Sequence, residues 1–190
     1  SVRALSISDD DRLAYVKTMQ LLTDKPVLYV CNVDESSAVN GNTYVNQVRQ
    51  VAETEQADVL VLAVSTEADI NELDTYEERQ LFLDDMGLTE PGAAKLIRAA
   101  YAMLNLHTYF TAGQKEVRAW TVIQGSTAPQ AAGVIHTDFE KGFIRAEVIS
   151  FADYDNYGSE AKVKESGKMR VEGKDYVVQD GDVMHFRFNV

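Results

Sequence analysis

Cysteine is nearly missing from this chain. Cys31 is the single one among 190 residues, which excludes an internal disulfide and fits the reducing cytoplasmic compartment. Histidine is almost as scarce: His107, His136 and His185 stand far apart with no pair at metal-ligand spacing, so the local sequence predicts no zinc site. Apolar runs stop at strand length, far short of a membrane span. The first residues lack the basic flank, apolar core and small-residue cleavage site of a signal peptide. Positive charge is the minority. Eighteen Lys and Arg against 30 Asp and Glu leave a net charge of −12, which argues against a broad grip on a phosphate backbone and predicts no DNA partner. Internal repeats and low-complexity segments are missing too. What remains is ordinary for a globular protein, 45% hydrophobic and 25% charged, long enough for one large domain or two small ones with a sizeable core.

Alternating periodicities organise the first half. Residues 9–23 read as a helix, with Asp9, Asp10 and Asp11 at its positive end and Leu13, Val16, Met19 and Leu22 at helical spacing. Pro26 opens an apolar strand that runs to Cys31, and a polar loop follows to Asn42. Residues 43–55 read as a helix with Tyr44, Val48 and Val51 on one side. Residues 58–64 form a second apolar strand ending in Ser65-Thr66-Glu67. Strand, helix, strand at this spacing predicts a βαβ unit with a parallel pair. Two more helices are expected, over 75–85 with Gly87 as cap and over 91–104.

The pattern changes near residue 105. Residues 106–111 and 117–123 flank Ala112-Gly113-Gln114-Lys115-Glu116, a hairpin signal. A short helix over 127–135, a strand over 143–149, helical pieces over 151–166, and strands at Tyr176-Val177-Val178 and 183–188 around the Asp180-Gly181 turn complete the reading. Short strands around small helices predict an α+β module. Trp120 and Phe143 are candidate core residues of it, and Cys31 reads as a small packed residue.

The most informative motif is Asn32-Val33-Asp34-Glu35, directly after the first strand. Parallel α/β sheets place ligand-binding side chains beyond the carboxyl ends of their strands. An Asn followed three residues later by a carboxylate is also the spacing with which GTPases read a purine base. Yet no G-x-x-x-x-G-K-[ST] phosphate loop occurs anywhere in the 190 residues.

The second half carries a family resemblance. Thr108-Tyr109-Phe110-Thr111-Ala112-Gly113 with Glu116-Val117-Arg118-Ala119-Trp120-Thr121 resembles the opening hairpin of a TGS domain. Residues 128–146, Ala128-Pro129-Gln130 through Ile144-Arg145-Ala146, and residues 172–182, Glu172-Gly173-Lys174 through Gly181-Asp182, continue it. Together they resemble the YchF group of Obg-related P-loop proteins, the Obg-like ATPases, over essentially the whole chain.

That resemblance implies a three-part parent: a nucleotide-binding domain, a helical arm inserted into it, and a β-grasp TGS domain. Residues 1–105 would be the carboxy-terminal part of the nucleotide-binding domain, with a partial P-loop NTPase-type α/β sheet and the return of the arm at about 1–24. Residues 106–190 would be the α+β TGS domain. The phosphate loop, both switch segments and the Mg²⁺ ligands would lie outside this chain. Family members are ATP- and GTP-binding hydrolases that associate with ribosomes and respond to oxidative stress, so ATP or GTP, Mg²⁺ in the intact parent, and a ribosomal or ribosomal-RNA partner are implied.

Carried onto these residues, Asn32 takes the place of the GTPase Asn, Val33 replaces the Lys that packs along the base, and Glu35 replaces the guanine-reading Asp. Glu is one methylene longer and should not reach the same bidentate position. The expectation is relaxed guanine selectivity and a preference for adenine, whose N6 amino group an Asn oxygen can accept. Ser65 stands where GTPases carry Ser-Ala-Lys, with Thr66 and Glu67 departing from that pattern. Lys162, Lys164, Lys168, Arg170 and Lys174 are the local candidates for RNA or partner contact, although such a run is commonly just solvated surface. His136 and Asp138 lack a nucleophile and read as a loop held by local hydrogen bonds. A rival reading makes the chain a ribosome- or RNA-binding adaptor acting through 106–190 without hydrolysis. An unrelated enzyme built on Asp and Glu pairs has no constellation behind it.

Overall fold

The computed structural model describes residues 1–113 and 116–189, and the chain divides into two compact units between Met103 and Leu104. The architecture is mixed α/β. No helix among the described residues is long and apolar enough to cross a membrane.

In the first unit, strands β1 (Leu28–Asn32) and β2 (Asp58–Leu62) pair in parallel, from Leu28 opposite Asp58 to Asn32 opposite Leu62. Helix Thr43–Glu55 makes the crossover. It starts where Asn42 Oδ1 accepts from the N–H groups of Tyr44 and Val45, at 3.0 and 3.1 Å, which satisfies two otherwise orphaned donors. Its buried face is Val45 and Ala52, with Val48 half-buried, whereas Tyr44 is 76% and Val51 52% exposed. The apolar stripe read from the sequence is therefore displaced by about one residue, because the small Ala52 lets this side of the helix lie close to the strands.

Strand β2 stops at Leu62, two residues short of expectation. Ala63 caps a helix, Val64–Glu72, that the continuous apolar run through Val64 concealed. Helix Tyr76–Asp85 follows, with a capping box between Thr75 and Glu78. It ends as Gly87 enters the left-handed region (φ +68°), with Leu88 N–H donating to Leu83 O and Gly87 N–H to Asp84 O. Helix Gly92–Met103 closes the unit. The single helix expected over 9–23 is instead broken. An α-turn over Asp9–Asp11, wider i→i+5 turns over Arg12–Val16 and a tight turn over Lys17–Met19 end at Gln20 with φ +50°. Leu13, Met19 and Leu22 stay 64, 63 and 81% exposed, so no packed face enforces a regular period.

The second unit holds a five-stranded sheet. Its strands are β3 (Leu106–Ala112), β4 (Val117–Ile123), β5 (Phe143–Ser150), β6 (Arg170–Glu172) and β7 (Asp182–Phe188), in the order β4-β3-β7-β5-β6. The hairpin β3–β4 is antiparallel, from Leu106 opposite Ile123 to Ala112 opposite Val117; Gln114 and Lys115 of its expected turn lie outside the described residues. Strand β7 runs parallel to β3 and antiparallel to β5. Helix Ala128–Ile135 packs on the sheet through Ala128, Ala131 and Ala132, all fully buried. These alanines allow the backbone close enough for the buried Tyr109 hydroxyl to donate to Ala131 O at 2.8 Å. Phe143 joins this core at 4% exposure, with Trp120 packed against it. Two expectations change here. Tyr176-Val177-Val178 is not a strand but a single bridge, Val177 to Thr127. The strand is instead Arg170–Glu172, a three-residue edge too short and polar to show a period of two.

Candidate functional site

Asn32 is the last residue of β1, at the strand's carboxyl end. Its Oδ1 accepts from Val64 N–H at 3.1 Å, and Val33 N–H donates to Leu62 O at 2.8 Å. These two bonds tie the Asn32–Glu35 loop to the start of helix Val64–Glu72. The Asn32 oxygen is thus already engaged, and its amide nitrogen offers two donors.

Beyond Val33, Asp34 caps a tight turn, Glu35–Ser37, by accepting from Ser37 N–H at 2.9 Å and Ser36 Oγ at 2.8 Å. Bonds from Ser37 and then Ser36 hold the Asp34 carboxyl below the usual carboxylate range. The Asp34 carboxylate is structural. Glu35 is exposed and its carboxylate makes no hydrogen bond or ion pair among the described residues. Val33 is half-buried.

Ser65 is exposed in the first turn of helix Val64–Glu72. Val64 N–H is satisfied by Asn32 and Glu67 N–H by Ala63 O, which leaves Ser65 and Thr66 as the helix-start donors pointing away from the ladder. The residues that depart from Ser-Ala-Lys have local roles that the sequence did not disclose. Thr66 is 2% exposed, and its Oγ1 is buried with no hydrogen-bond partner among the described residues, beside a void of about 10 Å³, roughly one water in size. The Glu67 carboxylate accepts from Gly92 N–H at 2.6 Å and Ala93 N–H at 3.1 Å, capping helix Gly92–Met103. Side chain and helix start are 25 residues apart, so no local signal could have shown the cap.

The basic candidates lie in the second unit and all are exposed: Lys162 and Lys164 on helix Glu160–Glu165, Lys168 after it, Arg170 on β6 and Lys174 in the following turn. Arg170 is not a free cation. It donates to Glu172 (3.2 Å), to the Tyr176 hydroxyl (3.0 Å) and to the buried Asp182 (3.5 Å). The four lysine ammonium groups make no hydrogen bond or ion pair among the described residues. His136 caps helix Thr137–Lys141, its Nδ1 accepting from Asp138 N–H at 3.2 Å.

A family model described as YchF-GTPase_C, protein of unknown function (DUF933), matches residues 106–189. The ribosome-binding ATPase YchF of Haemophilus ducreyi is 57% identical over 189 residues, covering all of this chain and 51% of that protein. The chain belongs to the YchF family. The Bacillus subtilis ribosome-binding ATPase YchF is 51% identical over 183 residues, 95% of this chain and 50% of its own length. The structure of the Schizosaccharomyces pombe YchF GTPase agrees with a TM-score of 0.82 at 33% identity, over 98% of this chain and 49% of that one. A GTP-binding protein from Pyrococcus horikoshii OT3 shares the fold, with a TM-score of 0.59 at 19% identity. The chain therefore spans about half the length of the curated YchF relatives it matches.

Proposed function

We propose that this chain supplies the base-reading edge of the nucleotide pocket of a cytoplasmic, YchF-type nucleoside triphosphatase, and that residues 106–190 form a β-grasp TGS domain that docks to the ribosome. One observation carries the first half. Asn32, at the carboxyl end of a parallel strand, ties its loop to the helix start at Ser65 through Val64 N–H. A purine lying there meets the Asn32 amide donors, the Val33 side chain, the Glu35 carboxylate and helix-start N–H groups around Ser65 together.

The engaged Asn32 oxygen alters how the base is read. Its amide nitrogen donates to N7, an acceptor that adenine and guanine share, so Asn32 recognises a purine without choosing between them. Choice falls to Glu35 and the backbone. A carboxylate one methylene longer than Asp misses the paired N1–H and N2–H donors of guanine, and a site that cannot satisfy those donors loses its guanine preference. Phosphates and Mg²⁺ would be held by residues of the parent outside 1–190, since the chain has no phosphate loop. Its residues fit the purine end of ATP or GTP only, and the isolated chain is not expected to turn over nucleotide.

The test is a comparison of ATP and GTP affinity in the intact parent protein, with and without Asn32→Ala. Comparable affinities, both weakened by the substitution, are expected. A strong GTP preference, or no response to the loss of Asn32, would refute the reading. For the second half, the strand order β4-β3-β7-β5-β6 with a parallel central pair supports a β-grasp assignment. The unit's own buried core supports the rival adaptor reading equally. Pull-down of ribosomal particles by 106–190 alone, as efficient as by the whole chain, would favour the adaptor.

A further inference from the structure

Glu147, Glu160 and His185 are scattered in sequence and meet in the second unit. Glu147 and His185 stand directly opposite each other on antiparallel β5 and β7, so both side chains leave the same face of the sheet. Glu160 opens helix Glu160–Glu165, whose start is set by Ser159 Oγ accepting from Lys162 N–H at 3.4 Å. The fully buried Val163 anchors that helix against Ile149 and Val183. One imidazole nitrogen and one oxygen from each carboxylate all lie within 4.8 Å of one another, yet no hydrogen bond or ion pair joins the three among the described residues. The Glu147 carboxylate is held in place by Arg187 Nη2 at 3.0 Å, and its side chain is only 17% exposed. A void of about 10 Å³ is lined by the three residues together with Tyr154 and Met169.

We propose that Glu147, Glu160 and His185 form a binding site for a first-row divalent cation, taking zinc ahead of magnesium or manganese. Two carboxylates and an imidazole from three separate elements are a three-ligand set that leaves a fourth position for water. Zinc bonds of about 2.1 Å put tetrahedral donors roughly 3.4 Å apart, so on loading, ligand atoms that lie within 4.8 Å of one another close by at most about 1.4 Å. Glu160 and His185 are exposed and free to make that adjustment, while Glu147 stays fixed by Arg187. The mixed nitrogen and oxygen donors disfavour Mg²⁺, which takes oxygen ligands in an octahedron, and the order of divalent affinities favours zinc over manganese. Arg187, and Arg145 opposite it on β5, are cations that act on Glu147, and Lys164 follows Glu160 by one helical turn. They weaken the site relative to a buried structural zinc.

The experiment is calorimetric titration of chelator-stripped 1–190 with Zn²⁺, with Co²⁺ as a visible-absorbance reporter of coordination. One tight equivalent is expected, unaffected by equimolar Mg²⁺. Glu160→Gln and His185→Ala should each weaken it at least about ten-fold, and Zn²⁺ should raise the melting temperature of the parent chain but not of Glu160→Gln. Because Glu160 is exposed at a helix start, its amide isostere keeps the fold and decides the matter should His185→Ala fold poorly. His136→Ala, which removes the other His–carboxylate pair (His136 Nδ1 to Asp138, 3.4 Å), should leave binding intact. No stoichiometric binding, full binding in Glu160→Gln, or loss with His136→Ala overturns the proposal.

Discussion

In residues 104–190 a five-stranded sheet covers Tyr109, Ala131, Val148 and Phe186, none more than 7% exposed. In residues 1–103 a two-stranded parallel sheet leaves Val30 46% exposed, and Leu5, Leu13, Tyr15, Met19 and Leu22 all above 55%. The two buried apolar clusters found among the described residues both belong to the second unit. Parallel sheets ordinarily lie covered on both faces, and two strands rarely suffice alone. The first unit does bury Val45, Ala52, Leu62, Ile70 and Leu83, and polar connections of long sequence separation join its elements: Asn32 to Val64, Glu67 to Gly92, and Arg3 and Tyr29 to Glu55, the last two at 3.0 Å each. The difference teaches where to look for function. The proposed base-reading loop sits on the unit where long-range hydrogen bonds add to a smaller set of buried side chains, so a few polar groups set its geometry. The second unit sets its geometry by packing.

The comparison breaks most visibly if the units are separated. Residues 104–190 should unfold in urea as one cooperative transition followed by circular dichroism, whereas residues 1–103 should give a broad, shallow one with a small m-value. Equal cooperativity in the two pieces would erase the contrast.

Next in size is a substitution inside the packed unit. Tyr176 Oη donates to the Asp182 carboxylate at 2.7 Å, and Asp182 is 2% exposed. Tyr176→Phe leaves that buried carboxylate with Gln179 N–H at 2.9 Å and the more distant Arg170. A cost of about 1–3 kcal/mol is expected by urea titration. Val177→Thr nearby, 42% exposed, serves as the control with little effect.

The matching change in the first unit is Glu67→Ala. It removes the cap from helix Gly92–Met103, at about 0.5–2 kcal/mol. Gly92→Ala should act on the same joint, since a Cβ there would collide with Leu62 Cδ2 and lie 2.9 Å from Glu67 Oε1. If the joint is a unit, the double variant costs less than the two single changes added, which a double-mutant cycle measures.

These residues also show what could be read in advance. Features decided locally were legible: helix Thr43–Glu55, the helix ending at Asp85 with its Gly87 cap, the hairpin strands β3 and β4, and the Asp180-Gly181 turn. Asn32 was legible as a strand-end residue for the same reason. Features decided by distant partners were not. Val64 continues an apolar run and reads as strand; only Asn32, 32 residues away, takes its N–H and lets a helix begin. Ala52 faces the strands in place of Val51 because packing selects size as well as polarity. Glu147 and His185 are 38 positions apart with no shared motif, and only strand register brings them together.

The smallest expected effect is alkaline. Burial, and then the bond to Asp182, push the Tyr176 hydroxyl up to about 12 from an ordinary 10.0. In the unfolded chain Tyr176 ionises near 10, so folding favours its neutral form. The corresponding stability is fully present below pH 10 and is lost as pH rises towards 12. Solvent screening at this partly exposed site limits the contribution to about 1 kcal/mol. The fully buried Tyr109 is raised as well, so total stability falls over the same range even without Tyr176. The clean measurement is the difference between the parent chain and Tyr176→Phe from pH 8 to 11.5. That difference should be flat to about pH 10 and then shrink, because ionisation of Tyr176 in the unfolded chain erodes the advantage of the parent hydroxyl; a gap that stays constant would place the Tyr176–Asp182 bond outside the folding equilibrium of this unit.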